Sequence, residues 1–362
     1  INPQNTINAG GGVNRNTQTP FTDLKPELIT SMEIGADVRF FTGRMGLDVT
    51  YYNITSNDQF LSLAAPAGSG YTTYFVNAGE IVNKGWEITL NAIPVQNSEW
   101  QWNTALNFSK NTNVVNEIHP DIETISMGSS ESVAIRFQAG GSMGDLYTSA
   151  FLRENYDENA EEGEQYTGRI VVGDDGTPRK TQDFQYMGNV EPSWSMGWNN
   201  NMAWKDFTFS FLINMKMGGV VVSQTEAMLD GYGASKRTGD ARDDGYVEVD
   251  AVNENDGSAV SQVDPKTWFL QTGDRNGIME YYVYDRTNIR LAQLSLGYTF
   301  NFESPAIQNL TLSLFGRNLF FFYKKAPFDP DLVMSTNRNN QGLDNFNLPT
   351  TRSIGLNLNI NF

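Results

Sequence analysis

The amino-acid sequence predicts an all-β chain that forms a transmembrane antiparallel β-barrel with long outer loops. Polar and apolar residues alternate in nine segments, these segments are long, and short connections alternate with long ones. Successive side chains of a strand point to opposite faces, so such alternation indicates one polar and one apolar face. The clearest case is the C-terminal segment, whose apolar positions are Ile354, Leu356, Leu358, Ile360 and Phe362.

The predicted strands are too long for a typical soluble sheet. They contain about 10 to 14 residues each. A strand that crosses a membrane needs about 9–11 residues, whereas soluble strands commonly have about five or six. Aromatic residues cluster near the segment ends, as in the aromatic girdles of membrane barrels. The nine strands are predicted near 28–41, 45–57, 83–93, 99–110, 190–203, 206–219, 286–301, 308–319 and 350–362.

The lengths of the connections fit the two sides of an outer membrane, where barrels have short periplasmic turns and long external loops. If the last strand runs inward, every short connection falls on the periplasmic side and every long one outside. Because single-chain bacterial barrels have an even number of strands, nine must be completed by strands before residue 1 or by another chain, and we expect the former. The short connections are 42–44, 94–98, 205–206 and 303–307, and the long ones are about 58–82, 111–189, 220–285 and 320–349.

Composition argues against several other functions. The formal net charge of -17 disfavours nucleic acid, whose partners present basic surfaces. The chain has no cysteine, and its one histidine, His119, has no Gly-x-Ser-x-Gly nucleophile to serve. No run of 18 apolar residues is present, so no transmembrane helix is predicted. We therefore expect that the chain is not an enzyme.

Motifs spread over nearly the whole chain resemble those of a known family. Leu-Lys-Pro-Glu-Leu-Ile-Thr at 24–30, Glu-Ile-Gly at 33–35 and Tyr-Tyr-Asn at 51–53 resemble the barrel signature of TonB-dependent receptors. Asn-Lys-Gly-Trp-Glu at 83–87 and Phe-Asp-Pro-Asp at 328–331 resemble the SusC-like (RagA/SusC) branch from Bacteroidetes. Further motifs that resemble this branch lie at 100–110, 187–192, 288–298, 316–319 and 348–352.

The resemblance implies further domains of the whole protein and the partners that it would use. These strands would be the last nine of about 22, with a plug domain and a TonB-binding segment expected before residue 1. A SusD-like surface lipoprotein would cap the barrel as a lid, and the TonB complex would drive import of an oligosaccharide or a peptide. The apolar face would contact membrane lipid, and the terminal Phe362 would be the signal read by the barrel-assembly machinery.

The acidic segment 154–176 departs from the family pattern. Relatives often carry a calcium-type loop in this region, and carboxylate oxygens are plentiful here. The alternating ligand spacing with glycine at the sixth position is missing. We therefore expect a solvated acidic loop and not a calcium site.

Aromatic residues in the long connection 220–285 are candidates for contact with a ligand or partner. This segment contains thirteen Asp and Glu against five Lys and Arg. Tyr and Trp offer an apolar face with a polar tip, which suits both sugar rings and protein interfaces. The candidates are Tyr232, Trp268, Tyr281 and Tyr282.

Charged residues on the polar face are candidates for contact with the plug, although for any single one of them we favour simple lining of a wet wall. They are Glu33, Asp37, Arg39, Asp48 and Glu87. Two other functions stay open at this stage. The barrel could serve as a structural subunit of an outer-membrane assembly or secretion complex, or the chain could be a soluble carbohydrate-binding β-domain.

Overall fold

A single antiparallel sheet of nine long strands dominates the structure. The computed structural model describes residues 6–7, 13–14, 25–64, 67–118, 124–129, 132–155, 167–303, 306–334 and 341–362. Each strand pairs with its neighbour in sequence, and β1 and β9 form the two edges. The predicted all-β class and its nine strands are therefore confirmed. The strands are β1 Leu28–Phe40, β2 Met45–Ala64, β3 Thr73–Gln96, β4 Trp100–Glu117, β5 Trp194–Trp204, β6 Phe207–Met217, β7 Asn288–Asn301, β8 Asn309–Lys324 and β9 Ser353–Asn361.

The hairpin of β2 and β3 is longer than the sequence predicts. Antiparallel pairing continues without a break from Gln59 opposite Ala78 to Ala64 opposite Thr73. The rings of Phe60 and Phe75 stack across the two strands with centroids 4.9 Å apart. Most of the predicted connection 58–82 is thus strand, because cross-strand side-chain pairs stabilise a hairpin beyond the depth of a membrane.

The two faces of the sheet differ as the alternation predicts. The apolar face carries large exposed side chains near both edges of the sheet, with Ile34 65%, Leu314 51% and Leu356 71% accessible. A soluble monomer rarely exposes an apolar surface of this extent. The opposite face carries hydroxyl, amide and charged side chains that hydrogen-bond across the strands, as Thr299 does with Thr311.

The three longest connections, between β4 and β5, β6 and β7, and β8 and β9, fold into small sheets and helices that we call the outer cap. The sequence patterns predict outer loops here. The difference arises because strands of two to seven residues are too short to show a clear alternation of polar and apolar positions. The helices are α1 Gln224–Gly231, α2 Lys236–Asp244 and α3 Pro265–Thr272. The short strands are Thr124–Ser129, Val133–Gln138, Asp145–Thr148, Ile170–Val172, Gln185–Asn189, Val220–Ser223, Val247–Asn253, Ala259–Val263, Val283–Asp285 and Leu343–Asp344.

Three minor elements complete the description. A separate two-residue pair joins Thr6–Ile7 to Val13–Asn14. Single 3₁₀ turns cover Ala67–Ser69 and Met279–Tyr282. No helix in the described part of the chain is long and apolar enough to span a membrane.

The helices of the outer cap begin at side chains that cap their free N–H groups. Ser223 accepts from the backbone N–H of Glu226 at the start of α1, and Ser235 does the same for α2. At the start of α3, Asp264 accepts from Thr267. Such caps stabilise a helix by about 1 kcal/mol each, so these short helices depend on them and on the core beneath.

Candidate functional site

The five predicted plug-contact residues all lie on the polar face of β1, β2 and β3, and all are exposed. Cross-strand pairing places Asp37 opposite Asp48. Asp37, Arg39 and Asp48 line a cavity of about 510 Å³ at the end of the sheet that carries the short turns, and Glu87 lines a second cavity of about 430 Å³ further along. The residues that complete the first cavity are polar or small, among them Arg44, Thr89, Asn91 and Asn103.

Of the two carboxylates in this cavity, only Asp37 has an ion-pair partner among the described residues. Asp37 pairs with Arg39 at 3.5 Å, but both side chains are more than half exposed, so the pair contributes little. Asp48 forms no ion pair with any described residue. Like charges directly opposite each other destabilise a sheet. A cation that entered from the polar side would relieve this repulsion.

A turn at 327–331, which contains the Phe-Asp-Pro-Asp motif, is fastened to the polar face. Lys216 of β6 binds Asp331 at 2.8 Å. Arg290 of β7 lies 3.4 Å from Asp331 and 3.7 Å from Asp329. The backbone N–H of Asp331 donates to the Asp329 carboxylate, which closes the turn. The side chains of Arg290 and both aspartates are less than a fifth exposed, so these ion pairs are well shielded from solvent.

A buried arginine joins this turn to the outer cap. Arg286 donates to the carbonyl oxygen of Pro330 at 3.2 Å and to that of Val190 at 2.6 Å. Burial lowers the pKa of its guanidinium below the ordinary value. Through these two backbone carbonyls, the Arg286 side chain joins the entry to β5 to the turn 327–331.

Two of the four predicted aromatic contact residues are packed inside the outer cap. Trp268 is 2% exposed and stacks on Phe151 with centroids 5.5 Å apart. Tyr282 is fully buried and donates to Asp230 at 3.0 Å, and burial raises the pKa of its phenol. The prediction of direct contact is wrong for these two residues, because an aromatic ring must expose a face to stack on a ligand. Their role is to form the core of the outer cap.

The other two aromatic candidates keep accessible surface. Tyr232 directly follows α1 and is 75% exposed. Tyr281 is half-buried, and its ring lies under the guanidinium of Arg237 at 5.2 Å. Arg237 also binds Asp230 at 2.7 Å. Contact with a ligand or partner at Tyr232 and Tyr281 stays a prediction.

We expect no calcium site in the acidic segment 154–176. The described carboxylates Glu154 and Asp174 of this segment already accept hydrogen bonds from other side chains. Residues 156–166 of this segment, like His119, lie outside the described residues. Glu154 binds Arg169 at 2.9 Å, and Asp174 accepts from the amides of Asn253 and Asn255. These hydrogen bonds lower the pKa of both carboxyl groups. Within the described ranges no group of three metal-ligating side chains occurs.

The chain end and the turn 327–331 complete the placement of the candidate residues. Phe362 follows β9 in the row of its apolar side chains and is 79% exposed. Its role as an assembly signal stays a prediction. Sequence reasoning missed Lys216, Arg286 and Arg290 as anchors. The signals that pointed near them were the motif at 288–298, which contains Arg290, and the Phe-Asp-Pro-Asp motif, which lies in the turn that they hold.

Comparison with known proteins identifies the class. Residues 2–251, more than half of the chain, match the family described as TonB dependent receptor-like, beta-barrel. The chain therefore belongs to the TonB-dependent receptor β-barrel family. The members of this family are outer-membrane barrels and not enzymes.

The individual relatives that match this chain include SusC. The chain is 28% identical to TonB-dependent receptor P3 of Formosa agariphila, with 94% of this chain and 34% of that protein covered. It is 22% identical to TonB-dependent receptor SusC of Bacteroides thetaiotaomicron, with 77% and 26% covered. The chain thus spans about a third of the first of these relatives and about a quarter of the second. The resemblance seen in the sequence motifs is confirmed.

A solved structure has the same fold. The RagAB peptide importer in its closed-closed state matches with a TM-score of 0.69 and 17% identity, over 98% of this chain and 37% of that chain. The open-open state of the same importer matches equally well. This likeness covers both the nine-stranded sheet and the outer cap.

Proposed function

We propose that this chain forms part of the barrel wall of an importer that carries an oligosaccharide or a peptide across the outer membrane. The observation that carries the proposal is the division of the sheet into an apolar face without protein cover and a polar face lined by cavities. Lipid would cover the first and the transport path would follow the second. The whole protein would use a SusD-like lipoprotein as its lid and the TonB complex as its source of work.

The charges on the polar face fit contact with a movable plug. Asp37 and Asp48 lie opposite each other, and Asp48 has no cationic partner among the described residues. Cations on the plug would bind these carboxylates, and the exposed geometry would let the ion pairs form and break as the plug moves. Glu33, Arg39 and Glu87 would extend the same contact surface along the wall.

Two further roles follow from the class of protein. The barrel-assembly machinery would recognise the chain end at Phe362, whose ring is exposed beside the apolar row of β9. In the outer cap, Tyr232 and Tyr281 would contact the substrate or the lid.

An uptake assay on the full-length protein tests the proposal. Cells that contain or lack the gene would be supplied with fluorescently labelled neutral oligosaccharides and, separately, with labelled peptides. We expect uptake of one class to require both the gene and the inner-membrane proton gradient. If deletion instead impaired secretion or assembly of other proteins while uptake of both classes was unchanged, the structural-subunit role would replace this proposal.

A further inference from the structure

Two lysines interrupt the apolar face of the sheet. Among the described strand residues, Lys84 of β3 and Lys110 of β4 are the only Lys or Arg side chains on this face, since pairing places the others on the polar face. Lys84 shares the side of β3 that carries Trp86, and Lys110 the side of β4 that carries Phe108. Cations are costly on a face that contacts lipid unless they lie near the edge of the bilayer.

The position of Lys110 along its strand places it at that edge. It lies ten residues from Trp100, which stacks on Trp204 beside the short turns. Ten residues at about 3.4 Å, tilted by about 40°, rise about 26 Å, which matches the apolar band of about 25 Å in such barrels. Aromatic residues mark the same level, because Trp86 pairs directly with Lys110. Trp and Tyr are enriched at this headgroup depth.

No acidic group in the described part of the chain forms an ion pair with either lysine. Cross-strand pairing makes the two lysines diagonal neighbours, which corresponds to about 7–8 Å. Both are exposed, and neither forms an ion pair with a described residue. The residues that face them on β2 and β4 are Tyr51, Asn53 and Thr112. On a chain with a net charge of -17, this is a local positive site that the protein leaves open.

We propose that Lys84 and Lys110 bind a phosphate group of a lipid in the outer leaflet of the outer membrane. Two ammonium groups at headgroup depth provide charge-assisted donors for phosphate oxygens. The rings of Trp86 and Trp194 beside them would pack on the lipid's chains. The inference rests on the proposed function for one point, namely that the apolar face lies in the membrane with the outer cap outside.

Native mass spectrometry of the full-length protein in neutral detergent tests this site. The probes are diphosphoryl lipid A and dephosphorylated lipid A. We expect the wild type to retain the diphosphoryl form, and the double variant Lys84→Gln, Lys110→Gln to bind it at least about tenfold more weakly. The control Lys205→Gln, Lys236→Gln removes the same charge at two exposed positions elsewhere and should bind as the wild type does.

Three outcomes would overturn the proposal. They are equal retention of the two lipids by the wild type, equal weakening in the control variant, and displacement of the lipid by millimolar inorganic phosphate, which would indicate a site for free phosphate. The double variant should still insert into the outer membrane and retain its lid. Failure of the wild type itself to enter a bilayer would contradict the proposed function and not only this site.

Discussion

Asn200 is a polar side chain on the apolar face, four residues along β5 from Trp204. It is fully buried and accepts a hydrogen bond from the indole N–H of Trp102 at 3.0 Å. On the same face Trp198 donates its indole N–H to Thr104 at 3.0 Å. A polar group in contact with lipid must find its partner within the protein. The two indole N–H groups therefore find their acceptors in Asn200 and Thr104, whereas the amide nitrogen of Asn200 has no hydrogen-bond partner among the described residues.

We expect Asn200→Ala to destabilise the folded barrel by about 1–3 kcal/mol, because the Trp102 indole would lose its acceptor where no water replaces it. Asn201→Ala is the matched control, since Asn201 is exposed on the polar face of the same strand. Urea unfolding of the full-length protein in lipid vesicles measures the difference. Equal unfolding midpoints for the two variants would show that Asn200 does not satisfy the indole.

Gly85 lies under an aromatic ring on the polar face. The hydroxyl of Tyr52 crosses it to donate to Asn111 at 3.0 Å. A Cβ at Gly85 would meet the Tyr52 hydroxyl and the carbonyl oxygen of Lys110. The glycine is therefore required by the ring that covers it, as when aromatic residues protect glycine in other sheets.

We expect Gly85→Ala to cost about 1–3 kcal/mol of stability, because Tyr52 would have to leave its position and release Asn111. Gly46→Ala provides the control, since nothing lies within 4 Å of the Cβ it would add. The temperature at which the barrel loses its resistance to detergent unfolding gives the comparison. A loss of stability in Gly46→Ala of the same size would argue against the role of Tyr52.

At the scale of elements, the turn 327–331 is held by two cations from neighbouring strands. Asp331→Asn would remove the charge shared by Lys216 and Arg290. Because Lys216 would lose its partner and the shielded Arg290 would keep only Asp329, we expect local opening of the turn to become easier by about 2 kcal/mol. Asp240→Asn is the control, since its partner Lys236 is 87% exposed and the pair contributes little.

Hydrogen exchange of residues 324–334 in the full-length protein reports on this opening. Exchange in Asp331→Asn should be markedly faster than in the wild type, with the nine strands unchanged. Protection equal to that of Asp240→Asn would mean that the ion pairs do not hold the turn.

The outer cap contains carboxylates whose charged form the fold stabilises. A hydrogen bond from Arg179 lowers the pKa of Glu254, and the amides of Asn253 and Asn255 lower that of Asp174. Groups with a lowered pKa contribute stability above their ordinary pKa, and this contribution is lost as the pH falls through the lowered values. We expect residues 170–180 and 250–258 to open below about pH 4.

Carbene footprinting of the full-length protein between pH 7 and pH 3 follows this opening. Labelling of the two segments should rise together on acidification, and Glu254→Gln should reduce the pH dependence. Constant labelling down to pH 3 would contradict the assignment.

The elements also show what the sequence could and could not predict. The alternation in β9 and in the β5–β6 hairpin is a local signal, so these strands and their two faces were predictable. The ion pair of Lys216 and Asp331 joins residues 115 positions apart, and only the folded chain brings them together. Trp268 and Tyr282 were misassigned because an acidic, loop-like composition does not reveal that their rings form a core.

At the scale of the whole molecule, the proposed import function would divide between the sheet and the outer cap. The sheet would offer its exposed apolar face to lipid and its cavity-lined polar face to the transport path. The outer cap is anchored to the sheet through Arg286 and the turn 327–331, so it presents a preformed surface on the side of the long connections. A preformed surface binds a lid or a substrate without the entropic cost of ordering loops.

Purification of the full-length protein from outer membranes in mild detergent, with mass spectrometry of all that accompanies it, tests the central claim most directly. We predict a SusD-like lipoprotein in stoichiometric amount together with a bound oligosaccharide or peptide. Recovery of the protein in the detergent-free soluble fraction would contradict the membrane barrel. Recovery with secretion or assembly machinery and no small ligand would contradict import.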